Sequence, residues 1–364
     1  MSYSFGKNLR ITVFGQSHSD SIGLVIDGLG AGIKINYELI DRQLERRKPG
    51  KNKLTTKRKE DDEYKFISGI VDDYTCGSSI CAVIKNKDYI KKDYENLRRN
   101  PRPSHADYPA FVKYHGFNDI SGGGQFSGRL TAPITIAGAI AQDILSKKGI
   151  KIVTRLESIN IIEDCKIDYD NLEFSDLENL YLKDFPVLDQ TKKRQMSDLI
   201  EEVRKKEDSV GAVVECFAFG LPVGIGEPLY DSVESKISSA IFSIPGVRGI
   251  EFGRGFAATE MLGSDHNDEY YIDEEGKIKT RTNNHGGVIG GLTTSMPIIF
   301  RTAFKPTSSI SKTQKTVDLK NKENTELKII GRHDPCIGIR AVPVVEAMAA
   351  ISLLDLMMTG WDLR

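Results

Sequence analysis

Two stretches leave this chain little freedom in how it folds: TAPITIAGAIAQDILSKKG, from Thr131, and AVPVVEAMAAISLLDLMM, from Ala341. Each carries small or apolar residues around most of a helical circumference, and such a helix must be covered on nearly every side. The second contains Glu346 and Asp355 and is too short and too charged to cross a bilayer. Both are therefore expected as buried helices inside a layered domain.

The covering layers are legible as strands. RITVF, GLVIDGL, FISGIV, SICAVIK, VGAVVECFAFGLPVG and MPIIFRTAF are rich in β-branched and aromatic residues and bounded by glycine or proline. INYELIDRQLERRKPG reads as a short helix, capped by Asn36 and stopped at Pro49-Gly50. DSVESKISSAIFSIPG is another helix, and TKKRQMSDLIEEVRKKEDS a charged surface one. Strands and helices mix without regular βαβ alternation, which predicts an α+β fold over a doubly wound sheet. Segments 157–190 and 311–327 are polar and weakly patterned, and read as surface excursions. There is one faint internal echo: Arg129 precedes Pro133 and Arg340 precedes Pro343, each at the opening of a small-residue helix.

Apolar residues make up 39% and charged residues 28%, a soluble, globular balance, and a formal net charge of -1 argues against a general nucleic-acid binder. The five cysteines form neither a C-x-x-C pair nor a regular framework, and the opening MSYSFGKNLR is too polar for a signal peptide. Reduced thiols in a cytoplasm follow as the expectation, with no membrane partner.

Four polar clusters lie in glycine- or proline-rich loops, where scaffolds usually present functional groups. FGQSHSDSIG places His18 just after a strand. RRNPRPSHADY gathers Arg98, Arg99, Arg102, His105 and Asp107 on a loop stiffened by prolines. GGGQFSGRLTAP lets backbone N–H groups approach a ligand and runs into a helix N-terminus, a natural anion site. It is not a P-loop, since Arg129 stands where Lys followed by Ser or Thr is needed, and GLGAG near Gly30 lacks the Rossmann spacing and reads as a join between two strands. The fourth is a C-terminal set, TNNHGGVIGGL, FKPTSSI and GRHDPC, in which Lys305, Thr307, Ser308 and Ser309 suit a phosphate. Together the clusters are rich in Arg, Lys, His and hydroxyls, with no metal site indicated. That suits a phosphorylated, carboxylated small molecule and a phosphate-bearing cofactor.

In order and spacing these clusters resemble those of the chorismate synthase family over essentially the whole chain, residues 1–364 taken as one domain. The family's G-E-S-H-G stands here as GQSHS, R-P-G-H-A-D as RPSHAD and its glycine-rich R-S-S loop as GGGQFSGR. NNHGGVIGG, KPTSSI and GRHDPC followed by GIRAVP match as they stand. The resemblance implies a β-α-β sandwich with an internal pseudo-duplication and a homotetramer. It also implies trans-1,4-elimination of phosphate from 5-enolpyruvylshikimate 3-phosphate to give chorismate, in the shikimate pathway. Reduced FMN is the implied cofactor, with NADPH or a separate flavin reductase as the source of electrons.

Residue by residue, the resemblance places His18 at the substrate phosphate, His105 near the pyrimidine end of the flavin and Asp334 at proton removal from C6 together with flavin N5. Arg47, Arg129 and Arg332 would clamp the substrate. Gln125, Phe126, Ser127, Pro245, Gly246, Gly290, Lys305, Pro306, Thr307, Ser308, Ser309 and Arg332 fall at FMN positions. Arg47 and Lys53 fall where a nicotinamide-cofactor contact is assigned. This sequence departs from the family at Gln16, Ser19, Gln125, Phe126 and Pro245. Those departures support a second reading, a flavin- or anion-binding homologue with impaired catalysis. A third, a flavin oxidoreductase turning over a nicotinamide cofactor, lacks a dinucleotide fingerprint.

Overall fold

The computed structural model describes residues 3–50, 61–87, 96–329 and 333–359. Two five-stranded sheets, antiparallel throughout, enclose the buried helices. The N-terminal sheet runs in the order Ser4–Phe5, Arg10–Gly15, Ser21–Asp27, Ile80–Lys85 and Tyr64–Ser68. The C-terminal sheet runs Val247–Phe252, Ile298–Phe304, Ala212–Phe219, Lys151–Ile159 and Ile162–Glu163.

Alternation along the strands decides which face turns inward. Ile22, Leu24 and Ile26 stand opposite Ile84, Ala82 and Ile80, and all six are buried. In the second sheet Val214, Cys216 and Ala218 stand opposite Leu156, Thr154 and Ile152 and point into the same core. The helix Thr131–Ser146 packs on the N-terminal sheet, while Val233–Phe242 and Gly338–Met357 pack on the C-terminal one. The two long buried helices meet each other. A Cβ at Gly138 would lie 2.1 Å from that of Ala347, so glycine is what lets the two backbones approach this closely.

The α+β reading and the two buried helices agree with this architecture, and Asn36 caps Tyr37–Arg47 by accepting from the Leu39 N–H at 3.1 Å. Three expectations are corrected. Segment 157–190 is no mere surface excursion. It completes the strand Lys151–Ile159, and Leu172, Leu177 and Leu180 cover Val153, Phe217 and Ile299 on the outer face of the sheet. Segment 311–327 does lie at the surface, as the hairpin Gln314–Asp318 and Glu323–Leu327 anchored by buried Leu327. The last helix begins at Gly338, so Pro343 lies inside it. Proline is a first-turn signal, yet it is tolerated deeper when packing outweighs one lost backbone bond. GLGAG leads from the strand Ser21–Asp27 towards the helix Tyr37–Arg47 and does not join two strands of the sheet.

Candidate active site

A cavity of about 580 Å³ opens where the N-termini of the two buried helices converge. Gly128, Arg129 and Thr131 line it around the start of one helix, and Ile337, Arg340 and Ala341 around the start of the other. Two helix N-termini facing one space favour negative charge there.

The floor is built from arginines. Arg47, the last residue of Tyr37–Arg47, is buried among polar partners. Its Nε donates to Thr131 Oγ1 at 3.1 Å, Nη2 to the Gly128 carbonyl at 3.1 Å and Nη1 to Asp62 Oδ2 at 3.0 Å. Burial pulls its pKa down to about 10, with Arg340 and Arg129 adding to the fall and Asp62 opposing it. It stays charged at neutral pH. Arg129 is also buried, donating Nε to Asn86 Oδ1 at 3.1 Å and Nη1 to Asp62 Oδ1. Arg340 donates Nε to the Arg47 carbonyl at 3.0 Å and Nη1 to Asp334 Oδ2.

His18 stands buried at the cavity wall, its Nδ1 3.2 Å from Ser17 Oγ. The glycine loop lies directly on it. Gly122 has φ 59°, and a Cβ there would sit 2.0 Å from His18 Cε1, so a side chain at 122 would push the imidazole aside. The run Ser121–Phe126 kinks through three successive positive-φ glycines, which only glycine does readily. Ser127 then caps the turn into Arg129, its Oγ accepting from the Arg129 N–H at 3.3 Å.

The RPSHAD loop and the KPTSS loop interlock. Arg102 grips Asp107 with Nε at 2.7 Å and Nη2 at 2.8 Å, and its Nη1 reaches Ser309 Oγ at 3.1 Å. His105 Nδ1 lies 2.6 Å from Asp107 Oδ1. That separation from a carboxylate places a proton on Nδ1, which turns Nε2 into an acceptor whenever the ring is neutral. Burial pushes the Asp107 carboxyl up, but the hydrogen bonds from Arg102 and His105 prevail and hold it well below the usual range. Lys305 donates to Ser308 Oγ at 2.8 Å and to the Ser104 carbonyl, and burial, helped by Arg248, lowers its pKa. Thr307 Oγ1 is buried with no hydrogen-bond partner among the described residues, an atom a ligand oxygen could satisfy.

His18, Arg47, Gln125, Phe126, Ser127, Arg129, Pro245, Gly246, Lys305 to Ser309, His105 and Asp334 thus meet at one cavity. Gly290 does not: it sits exposed in the turn between Val288–Ile289 and Leu292–Thr293, away from this lining. Arg332 and Lys53 lie outside the described residues. Sequence reasoning missed Asp62 altogether, and it saw Arg340 only as half of an echo. Asp62 stands in the acidic run EDDE, where a solvated face is the ordinary reading, and nothing local marks it as buried.

The family model for chorismate synthase matches residues 9–358. A chorismate synthase from Dehalococcoides mccartyi is 45% identical over 98% of this chain and 96% of its own length. One from Pyrococcus abyssi is 45% identical over 99% of each, and one from Korarchaeum cryptofilum 43% identical over 96% of each. A crystal structure of chorismate synthase superposes with a TM-score of 0.76 at 28% identity, covering 98% of this chain and 94% of that one. Agreement of this extent, in sequence and in fold, places the chain in the chorismate synthase family.

Proposed function

We propose that this protein eliminates phosphate from 5-enolpyruvylshikimate 3-phosphate to give chorismate, with reduced FMN bound in the same cavity. The observation that carries the reading is the meeting of His18, two buried arginines and Asp334 in one space below two helix N-termini. In the reaction the C3–O bond breaks with its electron pair going to phosphate, the C6–H bond breaks, and a second ring double bond forms. A departing phosphate needs cations beside it and an acid to protonate it. Arg47 and Arg129 supply the charge, and His18 is the proton donor. Asp334 is the carboxylate that takes part in removing the C6 proton, steadied by Arg340.

The residues present fit reduced FMN. The volume lies inside the range of about 300–1,000 Å³ usual for small-molecule sites. Phe126, Phe242 and Phe304 offer apolar wall, so the Phe126 departure exchanges a hydroxyl for a flat face. Lys305, Ser308 and the unpartnered Thr307 hydroxyl suit the flavin's polar edge or phosphate. His105, backed by Asp107, is the group to balance its negative charge. Gly246 has φ 95°, and a Cβ there would meet Ile337 at 2.7 Å, so the Pro245-Gly246 corner stays narrow. When bound, the reduced flavin supplies transient electron density that protein side chains lack.

For Arg47, burial on the cavity floor supports the substrate role over a nicotinamide contact. The reading carries a cytoplasmic homotetramer, with NADPH or a separate reductase providing electrons. No helix among the described residues is long and apolar enough to cross a membrane. Exposed Phe256, Leu262, Tyr270 and Ile272 give the assembly apolar surface to cover. Anaerobic incubation with the substrate is the test. Phosphate and chorismate should appear in equal amounts with dithionite-reduced FMN and not at all with oxidised FMN. Product from oxidised FMN in air, without any reductant, would overturn it, and FMN binding without phosphate release would favour the impaired homologue.

A further inference from the structure

The arginine floor has a keystone that the reaction chemistry does not call for. Asp62 contributes nothing to the cavity lining, yet its side chain is fully buried and each carboxylate oxygen serves a different guanidinium. Oδ2 accepts from Arg47 Nη1 at 3.0 Å and Oδ1 accepts from Arg129 Nη1. The three residues come from the end of one helix, a loop and the turn before another helix. Asp62 itself has φ 51°, a backbone conformation that β-carbon-bearing residues adopt sparingly, so the loop is bent to deliver this carboxylate.

A buried carboxylate is costly unless paired, and here the pairing is complete. Burial alone would raise its pKa, but the two arginines prevail and keep it ionised. The arrangement has two consequences. It cancels one of the two positive charges, leaving the Arg47–Asp62–Arg129 triad with a net charge of about +1. It also fixes both planar forks, because a guanidinium held on one edge can turn only a defined remaining edge to a ligand.

We propose that Asp62 is a positioning residue for the elimination, orienting Arg47 and Arg129 toward the departing phosphate at the expense of raw anion affinity. The inference rests on the reaction assigned above, and its binding arm stands independently of it.

Asp62→Asn keeps the shape, but it loses the charge and turns an amide N–H₂ toward one guanidinium. Three quantities separate the readings: kcat in the anaerobic assay, the Kd of inorganic phosphate by calorimetry, and the melting temperature. We expect kcat to fall by on the order of 10²-fold, the cost typical of an ångström-scale misplacement. Phosphate should bind as tightly as before or tighter, because the site gains a positive charge.

Asp62→Glu preserves the charge and displaces the carboxylate by one methylene, and it supplies the same information if the Asn variant does not fold. It should lose about tenfold or more in kcat with phosphate affinity within about threefold of wild type. Asp61→Asn, which removes the neighbouring exposed carboxylate paired with Lys87, is the control and should behave as wild type. Turnover within about threefold of wild type in a folded Asp62→Asn variant would overturn the proposal. So would a parallel loss of phosphate affinity and kcat in either variant, the mark of a residue that only holds the floor together. If the wild type makes no chorismate, the reaction assignment fails, while the phosphate measurements still decide whether Asp62 restrains the anion site.

Discussion

His18→Ala is expected to lower chorismate formation by on the order of 10²–10⁴-fold, the range for loss of a positioned general acid. The imidazole is buried, bounded by Ser17 on one side and by the backbone of Gly122 on another. To act as an acid the ring must be the imidazolium, in which Nδ1–H donates to the Ser17 hydroxyl and Nε2–H is the proton a leaving phosphate oxygen can take. Alanine leaves a small void as well as removing the acid, so His18→Gln is the sharper variant. Glutamine fills most of the space and can still donate a hydrogen bond, but it cannot release a proton at neutral pH. Both variants should fold and bind FMN, and both should be slow. Near-normal rates in the Gln variant would reduce His18 to a hydrogen-bond donor. His266 and His285 lie ring to ring at 4.5 Å, outside the cavity lining, and replacing His266 should cost far less.

The second large effect is expected at Asp334. Asp334→Asn should form chorismate on the order of 10²-fold more slowly or worse, because an amide cannot accept a proton at neutral pH. The local structure makes this substitution clean. Asn retains an oxygen for Arg340 Nη1, and Arg340 stays anchored through Nε on the Arg47 carbonyl. A bland alternative is that Asp334 caps the following helix, in which case Asn would be nearly silent. The geometry is against it: the helix starts at Gly338 with Ile337 at the cap position and no side-chain cap bond. Activity of the Asn variant close to wild type, with FMN affinity unchanged, would leave Asp334 a merely structural partner of Arg340.

What the sequence made legible follows from where the informative signals were local. The strands SICAVIK and VGAVVECFAF and both buried helices announce themselves because their burial is written in their own residues. KIVTRLESI does not, although it forms the strand Lys151–Ile159 in the heart of a sheet. Arg155 and Glu157 break its apolar pattern. The structure pays for this with a buried network in which Arg155 Nε meets Glu215 Oε2 at 2.6 Å and Nη1 meets Asp164 Oδ2 at 3.2 Å. VRGIEF is masked in the same way by Arg248 and Gly249.

The site shows the same division. His18, His105, Lys305 and Asp334 lie in loops whose glycines and prolines advertise a presented side chain, and the cavity gathers all four. Asp62 lies in a run of acids and owes its burial to arginines 15 and 67 positions away, so no window around it carries the signal. Arg340 is similar in part: Asp334 is only six positions away, but the carbonyl of Arg47 that anchors its Nε lies 293 positions away.

The proposed elimination needs reduced flavin yet consumes none. It is tested by counting chorismate formed per FMN under strict anaerobiosis, with reduced FMN far below the substrate concentration and no other reductant after mixing. Many chorismates per flavin are expected, with one phosphate per chorismate and no build-up of oxidised FMN as substrate disappears. One chorismate per flavin oxidised, or phosphate released without chorismate, would contradict it.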